Sequence, residues 1–343
     1  MAYTTINKST DYFNTKLYTG NGGTQSITGV GFQPDFVWYK ERNSTDYHTL
    51  QDVIRGVGKR IFSNTTDAED TNTSTITSFD SDGFSVGNNS GTNQSGQDYV
   101  SWNWKANGQG SSNTAGSINT TYTSANTTAG FSIMQYTGNG VAGATIGHGL
   151  GAVPKMLIVK QTNSSNNWKV YHVSMGNNNI MNLNDNSAEA GNTAFWNDTT
   201  PTSTLITLGT NGAINGSGNT YIMYAFAEKT GYSKFNSYVG NGNANGPFIY
   251  TGFKPAFIIL KVSSDINDWT MFDNKRPGYN VNNQALLPNL SNSESTDHAI
   301  DILSNGFKIK DNDGTVNPNG QTMIYMAFGQ SLVGSNNIPA TAR

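Results

Sequence analysis

Cysteine is absent from this 343-residue chain. Neither disulfides nor thiolate metal sites can therefore stabilise the fold, and the hydrophobic core must do so. Charged residues are also scarce, at 13%, and the formal net charge of −3 is spread along the sequence. Because nucleic-acid binding needs a concentrated basic surface, we expect no nucleic-acid partner.

Long apolar runs are lacking as well. No segment reaches the roughly 18 apolar residues that a membrane-spanning helix needs. The segment Met1–Asp11 also lacks the charged-then-apolar order of a signal peptide. We expect no membrane insertion, and synthesis in the cytoplasm without an export signal.

Motifs for catalysis and for cofactor binding are not found. The four histidines, His48, His148, His172 and His298, have no spacing typical of a metal site. No Gly-x-Ser-x-Gly nucleophile elbow precedes a helical pattern, and a cysteine nucleophile is missing. We therefore expect a protein that is not an enzyme, with no catalytic residue, no cofactor and no metal ion.

The residues that are abundant favour β-structure. The chain has 38 glycines, and Asn, Ser and Thr crowd its turns. Tyr, Phe, Val, Ile and Thr fill the apolar segments, whereas strongly helix-forming residues are few. This composition predicts an all-β fold.

One apolar segment occurs three times, with glycine, proline, an apolar run and a final lysine in the same order: Gly31–Lys40, Gly151–Lys160 and Gly252–Lys261. The spacing exceeds the roughly 20 to 50 residues of a solenoid unit, so each copy is expected to belong to a domain-sized repeat. An uninterrupted apolar run is typical of a strand buried on both faces. We expect the three final lysines, called the closing lysines below, to mark the return of each strand to solvent.

Two further motifs frame each copy. A Gly-Asn-Gly turn follows an opening tyrosine at Tyr18, Tyr136 and Tyr238. An Asn-x-x-Gly turn and an aromatic-rich strand close each copy, starting at Asn93, Asn215 and Asn317. Hairpin signals precede two of these endings, at Asp82-Gly83 and Asn305-Gly306.

These motifs predict three tandem β-sandwich-like domains, called the first, second and third repeats. The predicted boundaries are an N-terminal arm (1–17), the first repeat (18–108), a flexible linker with one strand near Tyr122 (109–135), the second repeat (136–231), the third repeat (238–331) and a C-terminal tail (332–343). A short junction between the second and third repeats predicts that these two are held together rigidly.

Several of these motifs resemble a family of virion proteins of marine tailed phages. The resemblance covers nearly the whole chain and rests on Met1–Ile6, the proline segments, Ser78–Phe84 and the Asn-x-x-Gly endings. It implies a structural protein of the virion, exposed on the particle, in contact with other virion proteins and homo-oligomeric, for example a trimer. The second repeat departs most from the pattern, because it lacks the Asp and Arg that the other repeats carry three residues apart. We expect Asp52 to pair with Arg55, and Asp273 with Arg276, within a turn.

Two acidic patterns leave alternatives open. Asp80–Gly83 and Asp311–Gly314 resemble partial calcium loops but lack the bidentate glutamate of an EF-hand, and Asx-type hairpin turns are the other interpretation.

A glycosidase needs two carboxylates at a set separation. The first repeat offers six acidic residues that no motif places: Asp46, Asp52, Glu69, Asp70, Asp80 and Asp82.

Glycan binding fits the composition better, because sugars stack on aromatic faces and bond to amides. Trp168 and Trp269 each lie eight residues after a closing lysine, and we name them as candidate ligand-binding residues, with core packing as the alternative. A ligand should be sought where the repeats differ, in 41–72, 161–201 and 262–301.

The function that these arguments favour is a non-enzymatic virion protein, with a tail fibre that binds a host receptor, such as a surface glycan, as first choice. A capsid decoration or head-fibre protein is the alternative. A polysaccharide depolymerase comes third.

Overall fold

The strands form where the apolar segments predict them. The structure is a computed structural model that describes residues 4–331. Within that range every pair of named strands is antiparallel, and the helices are a 3-10 helix at Ser9–Asp11 and three four-residue helices. The all-β prediction is confirmed. No helix among the described residues is long and apolar enough to cross a membrane.

The first repeat folds into a six-stranded and a three-stranded sheet. Its elements are β1 (Phe13–Thr19), β2 (Gln25–Thr28), β3 (Phe36–Glu41), β4 (Thr49–Asp52), β5 (Lys59–Phe62), β6 (Asp70–Thr71), β7 (Ile76–Asp80), β8 (Gly83–Val86), α1 (Ser90–Asn93) and β9 (Asp98–Trp104). The large sheet has the order β1-β9-β3-β4-β5-β6, and the small sheet has the order β2-β8-β7. The hairpin predicted at Asp82-Gly83 joins β7 to β8.

The second repeat folds into a seven-stranded and a two-stranded sheet. Its elements are β10 (Tyr122–Asn126), β11 (Phe131–Thr137), β12 (Ala144–Gly147), β13 (Pro154–Gln161), β14 (Lys169–His172), β15 (Asn179–Asn182), β16 (Ala190–Gly191), α2 (Thr193–Trp196), β17 (Leu205–Leu208), α3 (Gly212–Asn215) and β18 (Thr220–Ala227). The orders are β10-β11-β18-β13-β14-β15-β16 and β12-β17. The strand predicted near Tyr122 is therefore present, as β10.

The third repeat folds into a four-stranded and a three-stranded sheet. Its strands are β19 (Ser233–Val239), β20 (Phe248–Tyr250), β21 (Pro255–Val262), β22 (Thr270–Asp273), β23 (Ile300–Leu303), β24 (Gly306–Ile309) and β25 (Thr322–Gly329). The orders are β19-β25-β21-β22 and β20-β24-β23. The hairpin predicted at Asn305-Gly306 joins β23 to β24.

The same four-strand order recurs in the three large sheets, as β1-β9-β3-β4, β11-β18-β13-β14 and β19-β25-β21-β22. The first strand of each set starts before the predicted boundary, because it pairs along the whole closing strand; β1 already begins at Phe13. Part of the predicted linker is likewise tied down, since Ile118 N donates to Thr145 O at 2.9 Å and Thr123 N to Ser111 O at 2.7 Å. The predicted tail, 332–343, lies outside the described residues.

Each proline-segment strand is buried on both faces, as its uninterrupted apolar run predicts. In β21, Phe257 and Ile259 belong to a large central cluster that the three repeats share. Ile258 and Leu260 face the other way, into a cluster between the large and small sheets of the third repeat. The run is continuous because a strand between two cores has no solvent-facing side.

The three repeats meet at a triangle of aromatic rings. Trp104, Phe226 and Phe328 hold the same position in β9, β18 and β25, opposite the corresponding residues of the proline segments. Their ring centroids lie 6.4, 5.8 and 6.1 Å apart, and all three rings are buried. The repeats thus surround a common centre with approximate threefold symmetry.

Main-chain hydrogen bonds close the arrangement into a ring. One backbone N–H of each repeat donates to the carbonyl two residues after a closing lysine of the next repeat: Glu69 to Thr162 at 2.9 Å, Glu189 to Ser263 at 2.8 Å and Glu294 to Arg42 at 2.7 Å. We call these the ring contacts. Because the third contact returns to the first repeat, each repeat touches both others.

The closing lysines do not return to solvent, and that expectation is wrong. Lys40, Lys160 and Lys261 are fully buried. Each ammonium donates to the carbonyl of the following residue and to a second carbonyl, at 2.8 Å for Lys40 and 3.2 Å for the other two. Burial lowers the pKa of all three to about 8. The lysines therefore satisfy loop carbonyls inside the protein.

Candidate functional site

Two aromatic rings stand out from the small sheet of the third repeat. Phe248 is 46% exposed and Tyr250 is 61% exposed, whereas Ile249 between them is buried. Alternation along β20 places both rings on the face that points away from the core. Because β24 is the one described strand that pairs with β20, the two rings also lie at the edge of the sheet as the structure describes it.

The equivalent strands of the other repeats carry no such rings. Ile249 pairs with Phe307, as Ile27 pairs with Phe84 in the first repeat. The residues that flank Ile27 are Ser26 and Thr28, and those that flank Ile146 in β12 are Thr145 and Gly147. The exposed aromatic pair is therefore particular to the third repeat, and the fold of a repeat does not require it.

The neighbouring strands complete this outer face. The residue opposite Phe248 on β24 is Lys308, and the residue opposite Lys308 on β23 is Asp301. The residue opposite Tyr250 is Gly306, and the residue opposite Gly306 is Leu303. Because a Cβ at Gly306 would come within 2.1 Å of Ile249 O and 3.0 Å of the Phe248 ring, no side chain fits there.

A cavity of about 290 Å³ adjoins the other edge of this sheet. Its wall includes Ile302 of β23 and side chains capable of hydrogen bonding: Lys254, Asn274, Tyr279, Asn280, Asn282 and Gln330. Tyr279 is 77% exposed at the cavity. The amide oxygens of Asn274 and Asn282 are buried in the cavity wall and have no hydrogen-bond partner within residues 4–331. Aromatic and amide groups are thus combined at one place.

Hydrogen bonds to β23 and to Asp273 hold the wall of this cavity in place. Asn282 and Ile300 exchange main-chain hydrogen bonds of 2.7 and 2.9 Å, so residues 280–282 extend the sheet beyond β23. The Asn280 side chain bonds to both the N–H and the carbonyl of Ile302, at 2.9 Å each. Asn282 also donates to the Asp273 carbonyl at 2.7 Å. The cavity is therefore built on anchored backbone.

The predicted ligand-binding residues Trp168 and Trp269 lie elsewhere, in the core. Both are buried, and neither ring presents a face to solvent. Trp168 Nε1 donates to Phe62 O at 2.8 Å, and Trp269 Nε1 donates to Asn182 O at 2.9 Å. Each bond joins one repeat to the preceding one. The hypothesis of sugar stacking therefore finds no exposed ring at either position, and the two tryptophans fasten the repeats together.

The Asp/Arg pairs form as predicted and are buried between repeats. Arg55 Nε lies 2.6 Å from Asp52 Oδ2, and Arg276 Nε lies 2.6 Å from Asp273 Oδ2. Asp52 also accepts a hydrogen bond from the Tyr224 hydroxyl of the second repeat at 2.8 Å. These carboxylates are therefore structural.

His172 takes the corresponding place in the second repeat. Its Nε2 lies 3.1 Å from the carbonyl oxygen of Tyr325, in the third repeat. Burial lowers the pKa of His172 to about 4, so the imidazole is neutral at neutral pH and donates from Nε2. At this position the second repeat thus contacts the next repeat through a neutral imidazole, where the other two repeats use a charged Asp/Arg pair.

Protein donors hold the acidic turns, and only Asp311 Oδ2 is buried without a hydrogen-bond partner among the described acidic-turn oxygens. Asp82 accepts hydrogen bonds from the N–H groups of Gly29 and Gly31, which lower the pKa of its carboxyl. Asp311 and Asp313 accept from backbone N–H groups two residues ahead, as Asx turns do. Within residues 4–331, no group of three or more His, Asp or Glu is arranged to hold a metal ion.

The candidate carboxylates of the first repeat are dispersed over several partners. Asp70 pairs with Arg60, Glu69 contacts both Arg55 and Lys59, and Asp80 accepts from Ser85 Oγ at 2.7 Å. The structure therefore assigns these acids to ion pairs and turns.

The sequence arguments missed Phe248 and Tyr250, and they placed Tyr279 only within a variable segment. A usable signal was present. Aligning Phe248-Ile249-Tyr250 with Ser26-Ile27-Thr28 shows aromatic residues where the first repeat has small polar ones.

Comparison with known proteins gives a family but no activity. A search of curated proteins and a search of solved structures found no significant match. A family model described as a domain of unknown function, DUF7483, matches residues 8–331. That range contains all three repeats, the ring contacts and the aromatic face, and the chain therefore belongs to the DUF7483 family.

Proposed function

We propose that the chain is a non-enzymatic structural protein of a bacteriophage particle, exposed on the particle, where it binds a host receptor as part of a tail fibre. In this proposal each repeat is one β-sandwich of a tandem set of three, and the receptor is a host-surface glycan. The motif resemblance described above is one support. The proposal also includes contacts with other virion proteins and a homo-oligomer, for example a trimer.

The observation that carries the proposal is the closed ring of repeats. Three copies of one strand order are locked by the ring contacts and by a shared aromatic centre. The segments between the strands differ in length and sequence from one repeat to the next. A rigid β scaffold with divergent surface segments suits recognition, because binding residues can vary while the core stays fixed.

The same ring favours capsid decoration or a head-fibre role as a second candidate. One chain presents three similar faces around one centre. A threefold position of a symmetric shell could receive such a chain as a single copy. The two candidates differ in where the chain sits on the particle.

Immunogold electron microscopy tests the proposal. An antibody against the folded chain should label intact particles released by cells that carry the gene, at the tail for a fibre and at the head for a decoration protein. Absence of label from particles that are shown to contain other virion proteins would contradict both roles. Light scattering of the purified chain tests the oligomer, and a monomer would contradict that part of the proposal.

A further inference from the structure

We infer that the outer face of the small sheet in the third repeat, with the cavity beside it, is a saccharide-binding site. The face carries Phe248, Tyr250 and Leu303, and Tyr279 lines the cavity at its other edge. This inference rests on the proposed function and assigns the glycan contact to one repeat of the three.

The exposed rings need an explanation that folding does not supply. Exposing apolar surface costs about 25 cal/mol per Å², and aromatic residues on an edge strand invite unwanted pairing. The first repeat builds the same strand with Ser26 and Thr28, and their hydroxyl-bearing side chains face solvent. Because the strand forms with small polar residues, the rings of Phe248 and Tyr250 have a role outside the fold, as exposed aromatic clusters often do.

The exposed rings and the cavity together offer the chemistry that a sugar chain needs. A pyranose has an apolar face that packs on an aromatic ring and hydroxyls that bond to amides. The cavity is lined by Lys254, Tyr279 and Gln330, and the amide oxygens of Asn274 and Asn282, buried in its wall, have no hydrogen-bond partner among the described residues.

The dimensions also suit several linked sugars. Neighbouring strands lie roughly 4.8 Å apart, so residues on β20 and on the segment beyond β23 are separated by roughly 14 Å. Tyr250 stands on β20, and Tyr279 stands beside the cavity at the opposite edge. An oligosaccharide laid across the sheet would meet an aromatic ring near each end.

The chain provides its own matched variant. Phe248→Ser combined with Tyr250→Thr gives the third repeat the residues that the first repeat has at these positions, so the strand should still form. Ile266→Ser is the control, because Ile266 is 65% exposed in the same repeat but lies outside this face. The probes are polysaccharides extracted from the envelope of the host on which the particle grows, printed as an array.

The wild-type chain and Ile266→Ser should bind at least one of these polysaccharides, and the double variant should bind it at least tenfold more weakly with an unchanged unfolding midpoint. Equal binding by the double variant would overturn the inference and leave the proposed function standing. The inference would also be overturned if the antibody labels virions but the wild-type chain binds none of the polysaccharides. That result would favour a protein partner for this face. Failure to find the chain on virions is a separate result, which concerns the proposed function.

Discussion

Replacing Arg276 with methionine should destabilise the protein strongly, because it leaves a buried carboxylate without its cation. Asp273 and Arg276 have fully buried side chains. Arg276 also donates to Glu294 Oε2 and to Met271 O, at 3.1 Å each. Removing one partner of a buried ion pair typically costs about 3 to 5 kcal/mol. We expect the free energy of unfolding to fall by about that amount.

The double variant Asp273→Asn/Arg276→Met separates charge from packing. With the carboxylate gone, only hydrogen bonds are lost, at about 1 to 2 kcal/mol, so the double variant should be more stable than Arg276→Met alone. Arg60→Met is a matched control, because Arg60 pairs with the half-exposed Asp70 and should cost about 0 to 1 kcal/mol. Guanidinium unfolding followed by tryptophan fluorescence measures all three. A loss below about 1 kcal/mol for Arg276→Met, or a double variant less stable than the single one, would refute the reasoning.

Three further predictions concern the contacts that join and close the repeats. Trp269→Phe removes the indole N–H that donates to the Asn182 carbonyl and should lower the unfolding free energy by about 1 to 3 kcal/mol. Trp196→Phe should cost less, because the buried Trp196 Nε1 has no hydrogen-bond partner among the described residues. Asn317→Asp should lower the unfolding free energy by about 3 kcal/mol or more, because the Asn317 amide donates to three oxygens that would then face a carboxylate. The control Asn319→Asp, on the surface, should leave stability nearly unchanged, and thermal melts compare the two variants. The closing lysines release their protons at lower pH in the folded state than in the unfolded chain, because burial lowers their pKa to about 8. The free energy of unfolding should therefore rise between pH 8 and 10. Denaturant titrations at pH 7.5 and 9.5 that show a fall in this free energy would contradict the prediction.

Above pH 10 the buried tyrosines should reverse that trend. Burial raises the pKa of Tyr39 to about 12, so the unfolded chain loses the phenolic proton first and stability falls as pH rises. The rise in stability caused by the lysines should therefore be measured below pH 10, before deprotonation of the tyrosines offsets it.

The all-β fold and its repeated strands were predictable because the information is local. An uninterrupted run such as Phe257–Leu260 identifies a strand between two cores, and Asp82-Gly83 and Asn305-Gly306 identify hairpins. The Asp/Arg spacing also predicts its own pairing, since residues three apart can meet within one turn.

The arrangement of the repeats was not predictable, because it depends on contacts between residues far apart in the chain. Nothing near Trp168 indicates that its indole reaches Phe62 O in the preceding repeat. The burial of Lys160 has the same origin, since one of its two carbonyl partners is Thr66 O in the first repeat. Read locally, a lysine at the end of an apolar run indicates a solvent boundary.

The aromatic face is an intermediate case. Its residues stand out only when the repeats are compared position by position, because Phe248 and Tyr250 by themselves look like ordinary strand residues. The strand register supplied the comparison, through the shared isoleucine that pairs with Phe307 in one repeat and with Phe84 in another.

Competition for phage adsorption tests the central claim, receptor binding through the third repeat, most directly. Host cells are incubated with purified chain before particles are added, and the rate of adsorption is measured. The wild-type chain should slow adsorption, and the Phe248→Ser/Tyr250→Thr variant should leave it unchanged. An unchanged rate in the presence of saturating wild-type chain would contradict the account.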